Sequence, residues 1–556
     1  MGKRLFLSLC IGLTLTIMAT FAGGAMAVKL GSAKSCVKKC VFGGTSFDVT
    51  IAKSVARTPL TGRVYVIITR DGSSEPRDQV DTTGVPFFGL DVSSVRPGCR
   101  VSLRDGAGVY GYPLESIREI PAGEFYVQAF FNVYTRFDRS DGSRVWLHMP
   151  GGDGHDPFAS PGNLYSKVVK VRLAPGYAKC VSLVLDQVVQ PRDPVPMGGT
   201  TQQGNPPDTP HVKHIKIKSR LLTAYWGQPM YIAANVLLPA DYDSSTDRYP
   251  VVYSQGHFST APPFGFREDL GNTFSQWWMA DDTPRMIAVT LRHENPYYDD
   301  SYAVNSANLG PYGDAITTEL IPAIDAAFRT QPYRWARTLT GGSTGGWEAL
   351  AQMIFYPDLY QGTWAFAPDP VDFRFHQIVN IYKDANAYFN QSEWVDVPRP
   401  ASRAVSGDVR LTMEQENHFE LALGTRSRSG LGQWDVWEAV YGPQGRDGYP
   451  ARIWDKRSGA IDKTVAESWK PMDLRLYLED NWASLGPKVA GRIFVGVGDD
   501  DTYFLNNAVE LLQLAANKWT NPLADATFVY GPNGNHGWRP YTTPQLLTLM
   551  YEAMHP

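Results

Sequence analysis

The segment Gly341-Gly342-Ser343-Thr344-Gly345-Gly346 limits the choice of fold more than any other in this chain. It follows a short strand-like run, Arg337 to Thr340. It precedes a segment, reaching to about Tyr356, in which Trp347, Leu350, Ala351 and Ile354 recur at helical spacing. A serine at a strand-to-helix junction of this kind needs a very tight turn. Side chains two positions either side of the serine would collide with neighbouring backbone, so Gly341 and Gly345 suit those places. Such a turn lifts the serine hydroxyl above the edge of a sheet and aims the next N–H, that of Thr344, at the same space. A plain glycine-rich turn can carry the same six residues; the flanking strand and helix are what favour a nucleophile.

The surrounding chain has the texture that this turn requires. Residues 215–219, 231–238, 250–254, 286–291, 337–340, 362–367, 492–497 and 526–530 read as strands, several of them short apolar runs of the kind buried on both faces. Between two of them, Ile316, Leu320, Ile324, Ala327 and Phe328 mark a helix that Pro322 should kink. Strands alternating with helices predict an α/β unit around a mainly parallel sheet.

That unit does not fill the chain. At 556 residues the protein is too long for one ordinary domain. Residues 41–189 show short alternating runs, including 63–69, 124–133, 166–173 and 180–188, separated by Gly, Pro, Asp and Ser clusters and without a long helical period. This predicts an all-β, sandwich-like domain. Its rings Tyr126, Phe130 and Trp146 read as core rather than as a ligand platform. Pro191, Pro194, Pro196, Gly198, Gly199, Pro206, Pro207 and Pro210 then form a helix-breaking stretch. The expected order is a leader at 1–27, a β-rich domain at 28–190, a linker at 191–211 and the α/β unit at 212–556.

The leader is read from Lys3 and Arg4, an apolar stretch at 5–21, and the small residues ending in Ala25-Met26-Ala27. This is the plan of a cleaved secretory signal, with a retained anchor as its alternative, and it predicts a secreted or periplasmic protein with no membrane span after cleavage. Behind it stand four cysteines, Cys36, Cys40, Cys99 and Cys180, an even number that in an oxidising compartment predicts two disulfides of open connectivity. Zinc is a weak reading of Cys36 and Cys40, since no second close pair or His-rich segment accompanies them, and no metal is expected. The net charge of −4 argues against a nucleic-acid partner held by phosphate neutralisation.

A serine at its ordinary pKa needs a base. His376, His418 and His536 follow Ser343, apart from the final tail, and only His536 sits in a small-residue loop just after the last expected strand. The orienting acid is expected after the preceding strand, where Gly498-Asp499-Asp500-Asp501 stands. Asp501, three residues past Gly498, is the choice; Asp500 is its nearest rival and Asp369 the outside candidate. A calcium loop is a poor alternative for the acidic run, because the ligand spacing is missing. A second backbone donor for an oxyanion, beside Thr344, is expected from Gln255-Gly256-His257-Phe258, at His257 or Phe258.

Tyr249-Pro250-Val251-Val252-Tyr253, the segment from Asn308-Leu309-Gly310-Pro311-Tyr312-Gly313-Asp314 to Glu319-Leu320-Ile321-Pro322, the Ser343 turn and Asn535-His536-Gly537 together resemble the esterase D type of α/β hydrolase. That family includes feruloyl and acetyl-xylan esterases, enterochelin esterases and mycolyltransferases. The resemblance covers about 212–370 and 485–556. It implies a Ser–His–Asp triad and acyl-ester chemistry without a cofactor. It leaves out the first 190 residues, and this chain departs from it after Tyr253 and in a long insertion at about 370–488. Tyr382, Tyr388, Trp394, Trp434, Trp437, Tyr441, Trp454, Trp469, Tyr477 and Trp482 crowd that insertion. A lid with an aromatic-walled pocket and a helical subdomain with its own core are equal expectations for it.

The expected fold is thus an α/β hydrolase unit preceded by an all-β sandwich-like domain. The expected function is an exported serine esterase acting through an acyl-enzyme on Ser343, on an ester whose glycan-linked or aromatic character stays open. Acyl transfer to an alcohol is the alternative within the same chemistry. A polymer-binding protein with a relic hydrolase unit is the alternative outside it.

Overall fold

The protein is described here by a computed structural model, covering residues 44–148, 157–175, 179–190, 205–297, 301–426 and 432–554. The leader, Cys36, Cys40 and most of the expected linker lie outside the described residues.

The α/β unit is built on eight strands: β1 (Val212–Ser219), β2 (Met230–Leu237), β3 (Val251–Gln255), β4 (Ile287–Arg292), β5 (Arg337–Gly342), β6 (Gly362–Phe366), β7 (Ile493–Gly498) and β8 (Thr527–Gly531). Their order across the sheet is β1-β2-β4-β3-β5-β6-β7-β8. β2 runs antiparallel to β1 and β4, and every pairing from β4 to β8 is parallel. Each expected strand stands within three residues of its place; the central strands are buried on both faces, their residues alternating between two cores. Val251 and Tyr253 of β3 face one core with Val495 and Val497 of β7. Val252 and Phe494 face the other, with Trp278 and Met550. The register aligns Gln255 with Gly341 and Gly498 with Gly531, so β3, β5, β7 and β8 finish at one edge.

The helices close both faces. They include α1 (Arg220–Trp226), α2 (Thr344–Phe355), α3 (Met413–Leu423), α4 (Gln433–Tyr441), α5 (Leu505–Ala516) and α6 (Thr543–Ala553). The expected helix around Ile316 is continuous from Tyr312 to Ala327, and its turns widen at Ile316–Leu320, just before Pro322. The ring has no N–H to donate and crowds the preceding turn, which the wider spacing relieves.

The N-terminal part is β-rich, but its ten strands form one hydrogen-bonded sheet rather than two separate ones. The cause is the 16-residue strand Gly123–Asp138, which pairs with Leu60–Thr69 along one side and with three further segments along its length. Val64, Val66 and Ile68 of Leu60–Thr69 face an inner core with Val127, Ala129 and Phe131. Tyr65 and Ile67 face the other way, where Phe419, Ala422 and Leu423 of α3 cover them. The Phe419 ring stands edge-on to Phe87 and Tyr112 at 5.8 and 5.4 Å. The buried Arg63 guanidinium donates to the Ala422 carbonyl from Nε at 3.0 Å and Nη2 at 2.9 Å. A second contact sets Phe137 against Trp226 of α1, ring centroids 5.0 Å apart. Phe137, Val145 and Leu147 thereby belong to the main core of the α/β unit.

The expectation of two disulfides of open connectivity is corrected in one respect, the pairing of Cys99 with Cys180 inside the described part. Its two cysteines cannot bond each other. Cys180 pairs with Ser46 at one end of the strand Ser46–Ile51, and Cys99 precedes Arg100, which pairs with Thr50 near the other end. Four residues of strand span roughly 13 Å, whereas a disulfide needs Cα atoms within about 7 Å. Among the described residues no cysteine pair lies at bonding distance.

Candidate active site

Ser343 occupies the turn between β5 and α2 with φ 59° and ψ −127°, in the left-handed half of conformational space. A non-glycine residue is held there only by strong surroundings. Its N–H donates to the Phe366 carbonyl at 2.9 Å, and its carbonyl accepts from Asp369 N–H at 3.2 Å. The glycines are required by close approach. A Cβ at Gly341 would overlap the Gly345 carbonyl, and one at Gly345 would overlap the carbonyl of Gln255. Ser343 is the N-cap of the twelve-residue α2, so the unbonded N–H groups and positive end of that helix face the space around its hydroxyl. The expected second donor loop adjoins the same turn. Gly256 N lies 2.8 Å from where a Gly345 Cβ would stand, and His257 and Phe258 follow it.

His536 enters from the loop after β8. Its Nδ1 lies 2.8 Å from Asp501 Oδ2. Asp501 is fully buried, and its other oxygen accepts N–H groups of Tyr503 at 2.8 Å and Leu505 at 3.2 Å, at the start of α5. A carboxylate so bound accepts the Nδ1 proton of the imidazole and leaves Nε2 as an acceptor. The two loops touch through backbone: Asp499 N–H donates to Gly531 at 3.1 Å and Asp500 N–H to Gly534 at 3.0 Å. Of the acidic run, only Asp501 turns inward to the histidine. The Asp500 side chain is partly exposed and stands 3.6 Å from Arg403.

The structure places Asp369 elsewhere than behind the histidine. It follows β6, is buried, and faces the serine: Ser343 Oγ lies 3.4 Å from Oδ1. Its Oδ2 gathers donors, Tyr302 Oη at 2.6 Å, Thr344 Oγ1 at 3.0 Å, Gln433 Nε2 at 3.2 Å and Trp437 Nε1 at 3.3 Å. Burial pushes the Asp369 carboxyl above the ordinary carboxylate range, while the donors and the charges of His257 and His536 pull it down. Tyr302 and Gln433 are not visible as site residues in the sequence, and Trp437 is visible only as one of the many rings of the insertion. They come from a loop and from α4 of the insertion, without a spacing that marks them.

The insertion divides its aromatic residues. Trp434, Trp437, Trp454 and Trp469 are buried and pack as core, with His376 among them at 4.4 Å from Trp437. That enclosure lowers the His376 pKa well below its usual value. Trp394, by contrast, is 84% exposed.

A second serine–histidine–carboxylate group lies in the interior. Ser301 Oγ is 3.0 Å from His293 Nδ1, and His293 Nε2 is 3.9 Å from Glu348 Oε1 on α2. Their exposures are 0, 1 and 0%. The Ser301 N–H also donates to His293 Nδ1 at 3.1 Å, which occupies the nitrogen a base would use. All three side chains are sealed from solvent and, among the described residues, no helix begins at Ser301; the group serves as packed interior.

Residues 227–546 match a family model described as "Putative esterase". No curated protein matches the chain. Among solved structures, a ferulic acid esterase is similar at 15% identity over 62% of this chain and 98% of its own, with a TM-score of 0.36. An S-formylglutathione hydrolase from Agrobacterium tumefaciens is similar at 13% identity, over 62% and 95%, with a TM-score of 0.32. The fluorophosphonate-binding serine hydrolase F of Staphylococcus aureus is similar at 12%, over 61% and 98%, with a TM-score of 0.33.

Proposed function

Because the chain belongs to the Esterase family, we propose that Ser343, His536 and Asp501 are the nucleophile, base and orienting acid with which it hydrolyses carboxylic esters. One observation carries this reading. The hydrogen-bonded pair of His536 and Asp501, at 2.8 Å, shares the sheet edge with a strained serine at a helix N-terminus. Asp501 holds the Nδ1 proton, so Nε2 is free to take the proton of Ser343. Rotation about Cα–Cβ turns Oγ from Asp369 toward the imidazole. Oγ then adds to the ester carbonyl. The N–H of Thr344, with that of His257 or Phe258, receives the oxyanion. The imidazolium, stabilised by Asp501, returns its proton to the departing alcohol, and water releases the acyl group by the same steps.

The finer features of this reading rest on separate supports. The leader pattern at 1–27 supports export to the periplasm or beyond. Among the described residues no helix is long and apolar enough to cross a membrane. The β-rich part of the expected domain at 28–190 acts as a shield over the insertion, supported by the covering of α3. The insertion at about 370–488 walls the site, supported by the reach of Gln433 and Trp437 to Asp369. The substrate is an ester of glycan-linked or aromatic character.

Labelling the native protein with a fluorophosphonate tests the assignment. The expected result is a single adduct on Ser343, absent in Ser343→Ala. An adduct elsewhere, or an unlabelled native protein, refutes it. Product analysis with water and added alcohols separates hydrolysis from acyl transfer.

A further inference from the structure

Asp369 has a role that the three-residue mechanism leaves unused. Its carboxylate is lopsided. Oδ2 is crowded by Tyr302, Thr344, Gln433 and Trp437, while Oδ1 has one long contact, 3.4 Å, to the serine hydroxyl. An O–H···O bond is normally about 2.7–2.8 Å long, so Oδ1 keeps acceptor capacity unused. A buried carboxylate oxygen with too few donors is costly. Here that cost is placed beside the reacting atom.

The sheet order says which part of a substrate meets Oδ1. β5, with the serine, lies between β3 and β6. The loop after β3 supplies the second oxyanion donor, so the oxyanion points to the β3 side. Asp369 follows β6 on the opposite side, the side from which β8 delivers His536. The departing alcohol is protonated by His536 and therefore lies there too. An acidic group beside the oxyanion would oppose the reaction; beside the alcohol it does not. A hydroxyl on the carbon next to the ester-bearing carbon lies about 3–4 Å from Oγ in an acyl-transfer geometry, within hydrogen-bond reach of Oδ1.

Resting on the assignment of Ser343 and His536 above, we infer that Asp369 is a specificity-determining residue whose Oδ1 accepts a hydrogen bond from a hydroxyl adjacent to the ester in the alcohol part of the substrate. The substrate class is then a partly esterified polyol, sugar units included.

The experiment compares 2-hydroxyethyl acetate with propyl acetate, which has a methyl group in place of the hydroxyl. The native enzyme is expected to favour the hydroxy ester in kcat/KM by roughly 10- to 100-fold, the range for a hydrogen bond to a charged group. Asp369→Ala should reduce that ratio to near one, whereas Asp369→Asn, which keeps a carbonyl acceptor, should retain part of it. A native ratio near one overturns the inference without any variant. So does a ratio unchanged in folded Asp369→Ala. Hydrolysis of both esters surviving in Ser343→Ala overturns the site assignment, and the inference with it. Hydrolysis that depends on Ser343 but ignores the hydroxyl overturns the inference alone.

Discussion

Two serine–histidine–carboxylate groups lie among the described residues. Ser301, His293 and Glu348 have the right residue types and a 3.0 Å serine–histidine contact, yet all three are sealed in the core. Ser343 has no short contact of that kind at rest, its hydroxyl lying 3.4 Å from Asp369. It has instead a forced backbone, a helix N-terminus beneath it and partial exposure. The difference teaches that composition and proximity do not make a nucleophile. Access and donors already aimed at the developing charge do, since they cost no reorganisation during the reaction. A buried serine held by histidine serves packing and hydrogen-bond satisfaction instead.

The largest expected effect separates the two serines. Ser343→Ala should lower kcat by roughly 10⁴- to 10⁶-fold, measured by initial rates on a simple acetate ester. Ser301→Ala should leave kcat within a few-fold and instead lower stability by about 1–3 kcal/mol, read from urea unfolding. Reversed outcomes would make the interior group the catalyst. Next come the acids. Asp501→Asn should cost about 10⁴ in turnover, because an amide favours the wrong imidazole tautomer. Glu348→Gln should appear in the unfolding midpoint and not in turnover. The turn itself is tested by Gly345→Ala, whose Cβ meets the Gln255 carbonyl. A loss of about 1–3 kcal/mol in stability is expected, together with a fall in activity larger than any change in KM. Smallest is Asp500→Asn, expected to alter kcat less than about threefold, since its side chain meets Arg403 at the surface. A crippled Asp500→Asn would move the acid by one residue.

Much of the α/β unit was legible in the sequence, for a local reason. Its central strands are short runs buried on both faces, and its helices show a helical apolar period, so these elements declare themselves within ten residues. Ser343 was legible because glycines at 341 and 345 leave little else for a strand-to-helix junction to be. His536 and Asp501 were singled out by chain order, each in the loop after a readable strand, and the structure brings them within 2.8 Å of each other. The N-terminal strands were read, but their single sheet was not. Nothing local shows that Gly123–Asp138 pairs with several partners, or that Tyr65 and Ile67 face α3 rather than water. The crowding of Trp residues at 434–482 was visible, but not their direction; most are core.

By itself the sequence determined the parallel α/β plan, the serine turn and the strand ends after which Asp501 and His536 stand, because these follow from short-range sterics and periodicity along the chain. Tertiary structure alone decided which of two serine groups meets solvent and that Asp369 faces Ser343 and does not back His536. It also decided that residues from a distant insertion, Gln433 and Trp437, complete the surroundings of that carboxylate. Those outcomes depend on which surfaces are removed from water and which side chains converge in space, and segments more than sixty residues apart carry no local trace of their meeting.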